Sequence, residues 1–285
     1  MSEVLCGNAS LDLEQPQVMG VLNVTPDSFS DGGELLDARG QPCRDVILER
    51  AAAMARDGAA LLDIGGESTR PGARKVSEAE EMDRVLPVVE WLGELDVLIS
   101  VDTTKPGVMR EACASGAHLI NDVNACRAAG ALKVLKENSA GICLMHMQGE
   151  PATMQRRPRY DDVVAEVAGF LAERLSALEE AGISRERCLV DPGIGFGKTL
   201  EHNLALLAGL PALTALGVPV MVGVSRKSMI GTLTGKDAKG RVHASIAAAL
   251  YAVMRGASIL RVHDVAETCD ALKVWRAIGA RDVHA

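Results

Sequence analysis

The feature that most constrains this chain is a rhythm. Short apolar runs recur near residues 17–24, 60–65, 97–102, 118–122, 141–146, 187–191, 219–224 and 258–262, and a helix-like stretch separates each from the next. Most runs are continuous rather than alternating, which is the pattern of parallel strands buried on both faces. The segments between them carry helix punctuation. Ser77 with Glu80 reads as a capping box, and Gly93 stands where that helix should end. Pro106 suits a first helical residue and Gly116 a terminator. Between Asp161 and Gly182, Val163, Val167, Phe170, Leu171, Leu175 and Leu178 recur at helical spacing. Pro87 lies inside a helical pattern and is expected to kink it.

Eight strand–helix alternations in 285 residues predict an α/β fold, a (β/α)8 TIM barrel forming a single domain over 1–285, with the barrel at about 17–280. An open doubly wound sheet is the alternative. The first strand is not followed by Gly-x-Gly-x-x-Gly leading into a helix, which counts against its dinucleotide-binding form. The Gly/Asp-rich stretches 25–41 and 66–76 read as long loops. Aromatic residues are only 2% of the chain, so the core must be aliphatic, as barrel interiors are.

A net charge of −8 argues against nucleic acid bound through a broad basic surface. It leaves room for a small anion held by a local cluster of Arg and Lys. The seven cysteines include no Cys-x-x-Cys pair, so buried reduced thiols in a cytoplasmic protein are expected. The opening Met-Ser-Glu-Val lacks a basic segment followed by an apolar one, so no secretory signal is expected. No apolar run reaches the ~18 residues of a membrane span.

Barrel enzymes build their sites at the carboxyl ends of the strands. Here those ends carry Asn23, Asp63, Asp102, Asn121, His146, Asp191, Ser225 with Lys227 just beyond, and Arg261 with His263. Every one is polar or ionisable, and most are expected to line one pocket. Asp and Asn can pair with the amide, amino and ring nitrogens of a heterocycle. Asn23, Arg261 and His263 lie on the first and last strands, neighbours in a closed barrel, where they could grip a phosphate-like anion. Asp264 reads as the N-cap of the last helix. Gly193-Ile-Gly-Phe-Gly-Lys-Thr199 is one residue short of a phosphate-binding P-loop, and its glycines are expected to let backbone approach a flat ligand. Met145-His146-Met147 is no metal motif, and the three arginines among 156–159 read as a solvated basic loop.

The stretch Met19-Gly-Val-Leu-Asn-Val-Thr-Pro-Asp-Ser-Phe-Ser-Asp-Gly-Gly33 resembles the first signature of dihydropteroate synthases, and Asp63-Ile-Gly-Gly-Glu-Ser-Thr-Arg-Pro-Gly72 the second. Further matches follow in order: Ser100-Val-Asp-Thr-Thr-Lys105, Ile120-Asn-Asp122, Met145-His-Met-Gln-Gly149, Asp191-Pro-Gly193, Ser225-Arg-Lys-Ser228 and Arg261-Val-His-Asp264. The resemblance spans about residues 17–280. Thr104 and Ile194 are small departures from it. It implies pterin binding by Asp63, Asp102, Asn121, Asp191 and Lys227, and pyrophosphate binding by Asn23, Arg261 and His263, with Asn23 also beside Mg²⁺. It implies a para-aminobenzoate side made by Phe29, Thr69, Arg70, Pro71, Phe196 and Ser228. The catalytic group it implies is Asp102, Asp191, Lys227 and Arg261.

The implied reaction condenses 6-hydroxymethyl-7,8-dihydropterin pyrophosphate with para-aminobenzoate, by departure of pyrophosphate before arylamine attack. Two other readings remain at this point: a methyltetrahydrofolate-type methyltransferase and a non-catalytic pterin-binding paralogue. The resemblance further implies a cytoplasmic homodimer associated through barrel helices, with small-molecule substrates and neither nucleic acid nor membrane as partner.

Overall fold

A computed structural model of the chain describes residues 2–26, 35–37, 40–69 and 73–282. An antiparallel hairpin comes first, from β1 (Glu3–Cys6) and β2 (Ala9–Asp12), turning at Gly7 with φ +72°. The alternation read from the sequence follows: β3 (Gln17–Asn23), α1 (Arg44–Asp57), β4 (Leu61–Gly65), α2 (Glu78–Leu92), β5 (Leu98–Asp102), α3 (Pro106–Ala114), β6 (Leu119–Asp122), α4 (Ala131–Glu137), β7 (Gly141–Met145) and α5 (Val163–Glu180). Beyond them come β8 (Cys188–Asp191), α6 (Leu200–Ala208), α7 (Leu210–Thr214), β9 (Met221–Val222), α8 (Ser228–Thr234), α9 (Val242–Met254), β10 (Ile259–Val262) and α10 (Val265–Asp282).

Strands β3 to β10 are parallel and lie in the order β8-β7-β6-β5-β4-β3-β10-β9. A bridge between Val190 and Val220 joins the two outer strands, with the Val190 N–H donating to the Pro219 carbonyl at 3.0 Å. The bridge thus brings the two outer strands together, and the sheet forms a (β/α)8 barrel.

Side chains alternate between the two faces of a strand. One set, Met19, Leu61, Leu119, Cys143, Leu189, Met221 and Ile259, forms a buried cluster with Val4, Cys6 and Leu11 of the hairpin. This is the lowest interior tier, and the hairpin plugs it from the amino-terminal end. Each buried side chain of the plug contributes ~1.5–3 kcal/mol. The alternate set, including Leu62, Ile64, Ile99, Val101, Ile142, Val190, Val222 and Leu260, packs outward against Val85, Val88, Leu171 and Leu175 of the helices. An interior position two residues above the apolar tier is thus the first that can be polar, and it faces the open carboxyl end.

Most of the punctuation holds. Pro106 opens α3, Asp162 caps α5 by accepting from the amides of Val164 and Ala165, and α2 stops before Gly93. The capping box is half formed. Ser77 accepts from the Glu80 amide, but the Glu80 carboxylate turns to Arg74 and Arg84. The helical span of α2 continues through Pro87.

Candidate active site

Counting two residues up the strands from the apolar tier leads to Asp63, Ser100, Asn121, Asp191 and Arg261 on five of them, and to Val21, Met145 and Gly223 on the other three. Asp63 is fully buried and serves three donors. Ser100 Oγ donates to its Oδ1 at 2.5 Å, and Asn121 Nδ2 and Arg261 Nε donate to its Oδ2 at 3.1 and 2.6 Å. Arg261 Nη2 also donates to Asp102 Oδ2 at 3.1 Å. Burial would lower the pKa of Arg261, but the charges of Asp63 and Asp102 outweigh it and raise it, so the guanidinium stays charged. Burial pushes the Asp102 carboxyl up to about 7, with Arg261 opposing and Asp63 adding to the rise.

Above this floor lies a cavity of about 360 Å³, the size of a small-ligand site. Its polar lining includes Asn23, Asp102, Asn121, Asp191, Lys227, Arg261 and His263. One wall is apolar, from Val123, Met145, Met154 and Phe196. The Lys227 ammonium sits 4.9 Å from the centre of the Phe196 ring and donates to the Ile194 carbonyl. Gly195, at φ +82°, leaves the room it needs, since a Cβ there would lie 3.3 Å from Lys227 Cδ. Burial lowers the Lys227 pKa to about 8, against the opposing charge of Asp191. Burial raises that of Asp191, which Lys227 opposes and the Gly193 amide, donating at 2.6 Å, helps to offset. His263 is set by Ser225, whose Oγ lies 3.2 Å from both its amide and its Nδ1.

The turn that delivers Lys227 is strained and fastened. Arg226 takes φ +57°, costly for a residue with a Cβ. Its amide donates to Ser245 Oγ at 2.9 Å, its carbonyl accepts from Arg241 at 2.9 Å, and its guanidinium forms a two-pronged pair with Asp264. Asp264 stands at the expected N-cap position of α10, its carbonyl accepting the Thr268 amide at 3.1 Å, while its side chain holds Arg226.

A pocket of paired carboxylates, an amide and a lysine, with an apolar wall and an arginine floor, suits a flat heterocycle joined to an anion. Comparison with known proteins agrees. Residues 19–263 match the family described as pterin binding enzyme. The dihydropteroate synthase of Escherichia coli strain K12 is 51% identical over 272 residues, covering 94% of this chain and 93% of that one. The chain belongs to the dihydropteroate synthases. Among solved members, the Yersinia pestis enzyme in complex with a sulfonamide drug superposes with a TM-score of 0.93 at 48% identity, covering 98% of this chain and 99% of that one. The Burkholderia cenocepacia enzyme complexed with 7,8-dihydropteroate gives 0.89 at 48% identity, covering 100% and 99%.

Within this dihydropteroate synthase fold, Asn23, Thr69, Asp102, Asn121, Asp191, Phe196, Lys227, Ser228, Arg261 and His263 share one cavity. Asp63 shares the tier of Arg261, whose guanidinium it holds, but is fully buried and absent from the cavity lining. Phe29, Arg70 and Pro71 fall outside the described residues. His146 departs from expectation. It follows Met145 by one residue, so alternation turns it outward while Met145 faces in. Its ring meets Phe170 edge-on at 5.0 Å, and its Nδ1 lies 2.9 Å from Lys198 Nζ. Two of the loop glycines also serve a purpose other than expected. A Cβ on Gly193 would lie 1.9 Å from the His146 carbonyl oxygen, and one on Gly197 2.5 Å from that of Gln148. Both pack against protein backbone. Glu67, Ser68, Thr25, Val123, Met145 and Met154 line the cavity without having been foreseen. Two of these, Val123 and Met145, lie two residues beyond Asn121 and Cys143 on the inward-facing register, a signal that was available.

Proposed function

We propose that this chain condenses 6-hydroxymethyl-7,8-dihydropterin pyrophosphate with para-aminobenzoate, releasing 7,8-dihydropteroate and pyrophosphate. The observation that carries the reading is the single cavity in which Asp102, Asn121, Asp191 and Lys227 face an apolar wall above Arg261. Asn121 Oδ1 is buried with no hydrogen-bond partner among the described residues. A ring N–H or amino group would supply the donor it lacks. Asp191 and Asp102 accept from the amino and ring N–H groups of the pterin, and Lys227 donates to its carbonyl side. Val123, Met145, Met154 and Phe196 cover its faces.

The pyrophosphate end would rest on Arg261, His263 and Asn23. Among the described residues no group of three or more His, Cys, Asp or Glu could hold a metal ion. Asn23 nonetheless fits one that keeps most of its own shell. Mg²⁺ takes hard oxygen donors and commonly retains water and substrate phosphate oxygens, needing one or two from protein. Bound there, it would neutralise charge on the departing pyrophosphate. Arg261 and His263 do the same from the barrel side, and ionised Asp102 and Asp191 stabilise the cation left on the pterin methylene. The arylamine needs no strong base, because its nitrogen is already a nucleophile. Thr69, Phe196 and Ser228, at the cavity rim, would receive it, and a sulfonamide would take the same place.

A second cavity of about 380 Å³ lies between α6, α8 and α9, lined by Leu207, Met229, Ile230 and Ala248. Leu204, Leu233 and Tyr251 beside it are 42%, 56% and 43% exposed. This apolar flank supports a homodimer formed through barrel helices. No helix among the described residues is long and apolar enough to cross a membrane. The free cysteines support a reducing cytoplasmic compartment.

A turnover assay with both substrates tests the reading. One pyrophosphate released per dihydropteroate formed is expected. Methyl transfer without condensation would replace the reading with the methyltransferase, and pterin binding without turnover would replace it with the inactive paralogue.

A further inference from the structure

The second long loop leaves β4 at Gly66 and rejoins the fold at Ser77, and a buried ionic cluster sits under its two ends. Glu67 lines the cavity and immediately precedes Ser68 and Thr69, which line it too. Its Oε1 accepts the Val76 amide at 3.1 Å, so one carboxylate joins the start of the loop to its end. Its Oε2 accepts from Lys105 Nζ at 2.5 Å. Lys105 also donates to Glu81 Oε2, and the Glu81 side chain is 1% exposed. Arg84, from the same helix as Glu81, donates to the Gly66 carbonyl at 2.9 Å. Gly66 itself is pressed on α2, since a Cβ there would lie 2.6 Å from Val85 Cγ2.

Lys105 lies three residues beyond Asp102, at the start of α3. The cluster therefore links the chain beyond Asp102 to the loop that carries Thr69, just past the last ladder pair of β4 and β5, Gly65 with Asp102. Its charges are committed to this geometry. Burial alone would lower the Lys105 pKa, but hydrogen bonds to Glu67 and Glu81 outweigh it and raise it. Burial raises the Glu81 pKa, and Lys105 opposes the rise. None of the three has a part in the chemistry described above, and solvation does not explain a carboxylate as deeply buried as Glu81.

We infer that Glu67, Lys105 and Glu81 form a positioning clamp that sets Ser68 and Thr69 against the bound pterin and so determines arylamine affinity. The inference rests on the placement of para-aminobenzoate at Thr69 and Ser228. The clamp acts on one substrate only. Pterin contacts come from Asp102, Asn121 and Asp191 on β5, β6 and β8 and from Lys227 beyond β9, whose hydrogen bonds run to Arg261, Asp63, the Gly193 amide and the Ile194 carbonyl and not to the clamp.

Steady-state kinetics with each substrate varied, together with thermal melts, test the clamp in Glu67→Gln, Glu67→Ala and Lys105→Met. Glu67→Gln keeps an acceptor for Val76 and loses the charge, whereas Glu67→Ala releases both ends of the loop. The KM for para-aminobenzoate should rise in that order, by about tenfold or more in Glu67→Ala, as loss of a charge-assisted hydrogen bond implies. The KM for the pterin pyrophosphate should stay within about twofold. Lys105→Met strands the Glu81 charge, so Lys105→Met/Glu81→Leu is made beside it and should show the same selective rise. Unchanged arylamine KM in all variants would overturn the clamp, as would a loss shared equally by both substrates and the melting temperature. Ser228→Ala is the control for placement. If it raises the arylamine KM while the clamp variants do not, the clamp alone fails; if it too has no effect, the arylamine site is misplaced and the clamp falls with it.

Discussion

Consider Asp63→Asn beside Asp63→Ala. The carboxylate accepts from Ser100 on one oxygen and from Asn121 and Arg261 on the other. An asparagine can turn its carbonyl oxygen to Asn121 and Arg261 and its NH₂ to Ser100, whose hydroxyl can rotate to accept. All three partners stay satisfied, and only the charge opposite Arg261 is lost. A charged hydrogen bond contributes ~1.5–3 kcal/mol and a neutral one ~0.5–1.5, so Asp63→Asn should cost about 1 kcal/mol. Alanine strands the Asn121 amide and leaves Arg261 with Asp102 alone. Breaking a buried pair in this way costs ~3–5 kcal/mol. Urea unfolding at constant m reads these costs directly. Because the same contacts orient Arg261 and Asn121, kcat/KM for the pterin pyrophosphate should fall with them, about tenfold per 1.4 kcal/mol. Equal midpoints for the two variants, or an alanine cost below about 1 kcal/mol, would refute the claim that Asp63 holds the pocket floor.

Four further outcomes follow. Asp191→Asn should weaken pterin binding more than about tenfold while the protein still folds, because an amide cannot accept both pterin donors; unchanged affinity by calorimetry would remove Asp191 from the pocket. Lys227, with its pKa lowered to about 8, loses its charge as pH rises through that value. The kcat/KM for pterin should therefore fall above pH ~8 on this account, as it should also fall below pH ~7 where Asp102 takes up a proton, and Lys227→Arg, which stays charged, should abolish the alkaline fall alone; an identical alkaline limb in the arginine variant would assign it to another group. Para-aminobenzoate should bind well only with pyrophosphate and Mg²⁺ present, and equal calorimetric affinity with and without them would contradict an anion site that completes the arylamine site. Sulfonamides should inhibit competitively against para-aminobenzoate, and a non-competitive pattern would show that Ser228 and Thr69 do not receive the arylamine.

How far the sequence reaches is clearest at individual positions. Asp102, Asn121, Asp191 and Arg261 were legible because apolar strand runs end abruptly in residues that a barrel interior must turn toward its open end. Strand ends alone do not specify facing, however. His146 and Met145 are adjacent, and alternation sends the apolar one into the pocket. Asp63 is the last polar residue of its run but not the last residue. It pairs in register with Ser100, whereas Gly65 pairs with Asp102, so Asp63 sits a tier below the ligand. The hairpin Glu3–Cys6 and Ala9–Asp12 escaped notice because each strand is too short to carry a period. Met154 reaches the cavity from an irregular loop, and Lys105 finds Glu67 and Glu81 across separations of 38 and 24 residues. No local pattern encodes such pairings; they exist only once the barrel closes.

The most direct test of the account is a crystal structure of this chain with a non-hydrolysable analogue of the pterin pyrophosphate and Mg²⁺. The account predicts the pterin edge on Asp102, Asn121 and Asp191, its face against Met145 and Phe196, and the pyrophosphate on Asn23, Arg261 and His263, with Asp63 still paired with Arg261. A pterin seated elsewhere, or a pyrophosphate that touches neither Arg261 nor His263, would contradict it.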